Sequence, residues 1–106
     1  MRKGKIIVKA NISEPRTTVI STAPTNTSIF VEWNVEDDCD FVETFKLSWK
    51  SEIDELYEIP TADYSYNITN LVGCTEYELI VTPVGDNVDY VNGSKSEDVT
   101  TLTEGI

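Results

Sequence analysis

Histidine is absent from the 106 residues, and with it go the usual general base, the base of a serine-type triad and the commonest zinc ligand. The five glycines are scattered at positions 4, 73, 85, 93 and 105, so no glycine-rich loop can cradle a phosphate. No run approaches the ~18 apolar residues that a membrane-crossing helix needs. Met1-Arg2-Lys3-Gly4-Lys5 leads only into Ile6-Ile7-Val8 before Lys9 returns, which is neither a signal peptide nor an anchor; for an exported protein, the export signal is expected outside these residues. Basic residues are scarce as well, 8 against 19 acidic ones, for a formal net charge of -11. Binding to a phosphate backbone is driven by Lys and Arg displacing counterions, so nucleic acid is not an expected partner. With no nucleotide loop, no histidine and no membrane segment, no cofactor and no direct membrane insertion are expected.

What is present is ordinary globular material: 40% hydrophobic and 25% charged residues, in a length that builds one core and not two. Strand-type alternation dominates and no sustained 3.6-residue apolar stripe occurs, which makes the fold all-β. After the turn-rich run Thr22-Ala23-Pro24-Thr25-Asn26-Thr27, Ile29, Val31 and Trp33 share one face and Glu32 and Asn34 the other. Phe45, Leu47 and Trp49 are read as inward, with Lys46, Ser48 and Lys50 outward. Leu56-Tyr57-Glu58-Ile59 reads as a short strand ended by Pro60, and Tyr66, Ile68 and Leu71 as the next, before Gly73. Tyr77, Leu79, Val81 and Pro83 form a further inward face, Gly85-Asp86-Asn87 a turn, and a last strand is expected around residues 97–102. With a segment near residues 16–20, this gives about seven short strands with turn signals every 8–12 residues, the pattern of an antiparallel sandwich. A barrel is the structural alternative.

Over residues 14–104 these features resemble a fibronectin type III domain, a seven-stranded immunoglobulin-like β-sandwich. The resemblance rests on Pro15 opening the first strand, on Ile29-Phe30-Val31-Glu32-Trp33, on Phe45-Lys46-Leu47-Ser48-Trp49, and on Ile68-Thr69-Asn70-Leu71 followed six residues later by Tyr77. That spacing is similar to the family's tyrosine corner, in which a phenol at the start of strand F bonds back to the preceding loop. Ile12-Ser13-Glu14-Pro15 also reads like Leu102-Thr103-Glu104-Gly105, 90 residues on, about one repeat of the family. Residues 1–13 are therefore expected to be a linker or the last strand of a preceding repeat, and residues 105–106 the start of a following linker.

Four Asn-x-Ser/Thr triplets begin at Asn11, Asn26, Asn67 and Asn92, where seven asparagines and 21 serines plus threonines predict about 1.4 by chance. The excess favours the secretory pathway, with Asn26 and Asn92 in expected loops and Asn67 on an outward face. Cys39 and Cys74 invite an internal disulfide. The resemblance, however, puts them in loops at opposite ends of the sandwich, about 25 Å apart against the ~7 Å limit between bridged Cα atoms. An internal bridge across a draped loop, bridges to neighbouring repeats and free thiols all remain open. Glu36, Asp37, Asp38 and Asp40 could hold a hard cation, but their spacing does not fit an EF-hand loop, and the simpler reading is a solvated loop.

No catalytic or metal-binding residues are assigned. The resemblance implies a non-catalytic extracellular or cell-surface module, binding a protein ligand or neighbouring repeats within a receptor or adhesion protein. A purely structural spacer in a multidomain extracellular enzyme is the alternative. The expected contact loop spans residues 85–95, with Asp86, Asn87, Asp89 and above all Tyr90 as exposed contacts; it contains no Arg-Gly-Asp triplet.

Overall fold

The Ile29, Val31 and Trp33 side chains are buried while Phe30, Glu32 and Asn34 are exposed, the period-2 alternation that fixes one face of a strand against a core. A computed structural model describes residues 14–103 other than positions 39 and 54. Among these the strands are β1 (Arg16–Pro24), β2 (Ile29–Glu36), β3 (Thr44–Lys50), β4 (Tyr57–Thr61), β5 (Ser65–Ile68), β6 (Glu76–Gly85), β7 (Val88–Asp89) and β8 (Lys95–Thr100). A single 3-10 turn, Val91–Gly93, lies between β7 and β8. The expected segments 1–13 and 105–106 lie outside the described residues.

All pairings are antiparallel. One sheet has the order β1-β2-β5; the other runs β4-β3-β6-β7, with β8 also paired to β6. The seven-stranded sandwich thus carries an additional two-residue strand, β7. Between the sheets lie Ile29, Val31, Trp33, Phe45, Leu47, Ile68, Leu71, Tyr77, Leu79, Val81 and Val99. Phe45 meets Trp33 and Tyr64 edge-on, at centroid separations of 5.6 and 5.1 Å, the arrangement that aligns ring edges with ring faces. Burying Trp33 leaves its Nε1 without a hydrogen-bond partner among the described residues.

Several local expectations shift. Thr22, Ala23 and Pro24 extend β1 instead of forming a turn. Pro24, opposite Ile29, is the last residue of an edge strand, where its missing N–H costs little. The turn begins one residue later, where Thr25 Oγ1 accepts the amides of Thr27 at 3.2 Å and Ser28 at 3.0 Å. Pro60 lies inside β4, opposite Lys46, because β4 is also an edge. Leu56 falls outside β4. Ser48 points to the outer face as expected but is buried, since its short side chain sits between the longer Glu58 and Ile80 opposite it. Trp49 is half-buried: it closes the side of the sandwich, stacked between Tyr57 at 6.0 Å and Tyr66 at 6.3 Å. The last strand starts at Lys95, two residues early. On that edge strand Lys95 and Glu97 share the face of buried Val99 yet remain exposed, and charge placed there discourages pairing with another chain.

Candidate functional site

Asp86 and Asn87 both have positive φ, 52° and 63°, and they join Gly85 to Val88 across a two-residue loop. This is the type I′ geometry that matches strand twist and favours Asn and Asp. The expected contact loop is therefore a β6–β7 hairpin followed by the 3-10 turn. The Tyr90 amide continues the ladder by donating to the Pro83 carbonyl at 2.9 Å.

The loop from Asp37 to Glu43 packs against this hairpin. Asp37 organises it: its two carboxylate oxygens accept the amides of Phe41 at 2.9 Å and Val42 at 2.8 Å. Glu43 donates its amide to Val84 O at 2.8 Å, and its carboxylate accepts the Asp86 amide at 3.4 Å. The fit at Gly85 is tight, since a Cβ there would lie 1.9 Å from the Phe41 carbonyl oxygen; glycine is required for close approach of the two backbones. The Phe41 ring stacks on Tyr90, with centroids 6.4 Å apart and planes 12° from parallel.

The result is an aromatic pair at one pole of the sandwich. Phe41 is 43% exposed, and Asp38, Asp40, Glu43, Asp86 and Asn87 are exposed on the same loop and hairpin. Such a surface offers apolar contact area inside a negatively charged rim, on a scaffold already fixed by hydrogen bonds. Among the described residues no three of His, Cys, Asp and Glu converge on a metal position. Glu36, one of the acids weighed as a cation ligand, pairs instead with Arg16 at 2.7 Å.

The structure brings Asp86, Asn87 and Tyr90 to this pole, with Tyr90 half-buried beneath Phe41. Asp89 points onto the outer face of the larger sheet, where its carboxylate takes a hydrogen bond from the Lys46 ammonium. That bond raises the Lys46 pKa above its ordinary value, slight burial opposing and the Asp89 and Glu58 charges adding to it. Asn67 and Asn92 are exposed and Asn26 is half-buried; Asn11 and Cys39 lie outside the described residues. Cys74 is a free, exposed thiol at the opposite pole, its Sγ 3.3 Å from Thr103 Oγ1. The residue that sequence reasoning missed is Phe41, which sits in an acidic stretch without periodicity.

No family model and no curated protein matches this sequence. Solved structures do. The FN1–FN3 segment of chicken CNTN1 superposes with a TM-score of 0.74 at 17% identity, over 86% of this chain and 32% of that one. The FN3 domain of human collagen XX superposes with a TM-score of 0.67 at 21% identity, over 82% of this chain and 91% of that one. Domains d3–d4 of the rat CD45 extracellular region give 0.71 at 18% identity, over 84% and 51%. The fold is that of a fibronectin type III domain. This chain spans about a third of the CNTN1 segment and nearly all of the collagen XX domain. Within the fibronectin type III fold, the tyrosine corner is at Tyr77, whose hydroxyl accepts the Val72 amide at 3.0 Å. No helix among the described residues is long and apolar enough to cross a membrane.

Proposed function

We propose that this chain is a non-catalytic, extracellular protein-interaction module of a tandem-repeat receptor or adhesion protein, and that it binds through the pole built by Phe41 and Tyr90. The observation that carries the reading is the exposed aromatic stack itself. A monomer gains little by leaving a phenylalanine 43% exposed, whereas rigid aromatic anchors inside a polar rim are what binding surfaces use. The hydrogen bonds that the Phe41 and Val42 amides donate to Asp37 and the close approach at Gly85 preorganise the anchor, so little ordering cost is left for binding. The exposed acids around it fit a partner that presents an apolar pocket ringed by Lys or Arg. An extracellular setting is supported by the excess of Asn-x-Ser/Thr triplets and by the similarity to a receptor's extracellular region. The absence of histidine supports the non-catalytic reading.

The test is a screen of the multimerised chain against an array of secreted and cell-surface proteins, followed by affinity measurement on each partner found. Phe41→Ala and Tyr90→Ala should each weaken binding at least about tenfold, the loss expected of a truncated hot spot. Asp86→Asn should slow association and flatten its salt dependence. A spacer would yield no partner sensitive to these changes.

A further inference from the structure

We infer that Asn67 is an N-glycosylation site whose first sugar packs on the ring of Phe30; the secretory setting this needs rests on the function proposed above. Asn67-Ile68-Thr69 has the required acceptor spacing, which by itself says little. The register supplies the second observation. Asn67 lies directly opposite Phe30 in the β2–β5 ladder, and both point away from a core that holds their neighbours Ile29, Val31 and Ile68 at 0% exposure.

The ladder also fixes how close the two side chains come. Trp33 donates its amide to the Tyr64 carbonyl at 3.0 Å, and the register runs on from there without a shift through Glu32↔Ser65 and Val31↔Tyr66 to Phe30↔Asn67. Hydrogen-bonded and non-hydrogen-bonded rungs alternate in an antiparallel pair, so Phe30 and Asn67 occupy a narrow, non-hydrogen-bonded rung. On such a rung Cα atoms are about 4.5 Å apart and side chains are at their closest.

Phe30 is 39% exposed on the outer face of a central strand. Its partner on the other side is Ala23, too small to cover the ring. The surrounding outward residues, Ser21, Glu32 and Ser65, are polar and short or flexible. An exposed phenylalanine at this position contributes nothing to the core between the sheets. The transfer takes a glycosyl group from a lipid-linked diphosphate donor: the C1–Nδ2 bond forms as the C1–O bond to the diphosphate breaks, the diphosphate leaves and one amide proton is lost. A pyranose has an apolar face of axial C–H groups, and an N-acetylglucosamine so joined to Asn67 Nδ2 would reach the ring one short linkage away. It would shield apolar area that the protein leaves in water. Because Asn67 is exposed on the edge strand of its sheet, a bulky oligosaccharide extends into solvent from there without entering the core.

The experiment drives the full chain through a eukaryotic secretory pathway with a heterologous leader, which makes its outcome independent of where the native protein resides. Occupancy is mapped by mass spectrometry of glycopeptides, and glycans are trimmed enzymatically to the first N-acetylglucosamine. The melting temperature of this form is compared with that of Asn67→Gln, in the parent and in Phe30→Ala. Occupied Asn67 should raise the melting temperature by about 2–6 °C in the parent, a shift accessible to a domain of this size, and by about nothing in Phe30→Ala. Phe30→Leu serves as the second background should the alanine variant not fold, and nuclear Overhauser contacts between sugar and ring protons report the packing without any variant. An unoccupied Asn67 overturns the proposal, as does an equal increment in both backgrounds or the absence of sugar-to-ring contacts. A parent occupied at Asn67 that still fails in the partner screen would sink the proposed function and leave this inference standing.

Discussion

The Tyr77 hydroxyl accepts a hydrogen bond from the Val72 amide at 3.0 Å, tying the start of β6 to the loop that precedes it. Tyr77 itself is fully buried while Val72 is exposed, so the bond is partly shielded from solvent. Tyr77→Phe keeps the ring and deletes the oxygen. It should cost about 0.5–1.5 kcal/mol, the net worth of one such hydrogen bond, since the Val72 amide lies on an exposed residue. Urea unfolding measures this, with Leu79→Val as a control for core trimming; an unchanged midpoint would mean that the bond contributes nothing.

Trp33→Ala should cost about 3–5 kcal/mol, since it empties the largest core position and removes the edge-on contact with Phe45. Trp33→Phe should cost less than Trp33→Ala, because it keeps an aromatic ring against Phe45 and removes an indole N–H that has no partner among the described residues. Equilibrium unfolding of the two variants checks the order, and the reverse order would contradict this reading of the core.

Gly85→Ala places a methyl group 1.9 Å from the Phe41 carbonyl oxygen, and the three nearest atoms, from Phe41 and Val42, are all backbone. Overpacking of this kind costs about 1–3 kcal/mol. The larger consequence is local: the 37–43 loop must move, which separates Phe41 from Tyr90. Nuclear magnetic resonance of the variant should show shifts concentrated at residues 37–43 and 85–91, and spectra unchanged there would show that the loop does not pack as described.

Lys46 gains its proton affinity mainly from the hydrogen bond to Asp89. Its folded pKa lies above the unfolded value, so the stabilisation is fully present below the ordinary lysine value of about 10.4 and is lost as pH rises through the folded pKa. The pair is solvent-exposed, which limits it to about 0.2–1 kcal/mol. The stability difference between the parent and Lys46→Met should be constant from pH 6 to 9 and shrink above about pH 10.4. A difference that grew with pH would reverse the sign of the coupling.

Most of the sandwich was legible because burial on one face imposes alternation. Ile29, Val31 and Trp33, and Tyr77 through Pro83, state their orientation in the sequence. The six residues from Leu71 to Tyr77 locate the corner in the same way. Edge strands were harder to read, since Pro24 and Pro60 break a central strand and not an edge one, and nothing local says which strand is an edge. The candidate site was half legible. Asp86-Asn87 announces a turn and Tyr90 an aromatic contact, but Phe41 joins Tyr90 only through a contact across 49 positions of sequence. Asp89 is exposed as expected, but its ion pair with Lys46, 43 residues away in sequence, was not legible there.

The affinity of Phe41→Ala for a partner identified with the parent chain tests the central claim most directly. The account predicts a loss of at least about tenfold with an unfolding midpoint close to that of the parent, since the Phe41 ring is 43% exposed and lies outside the core. Unchanged affinity in a folded Phe41→Ala chain, or a screen in which the parent binds nothing, would contradict it.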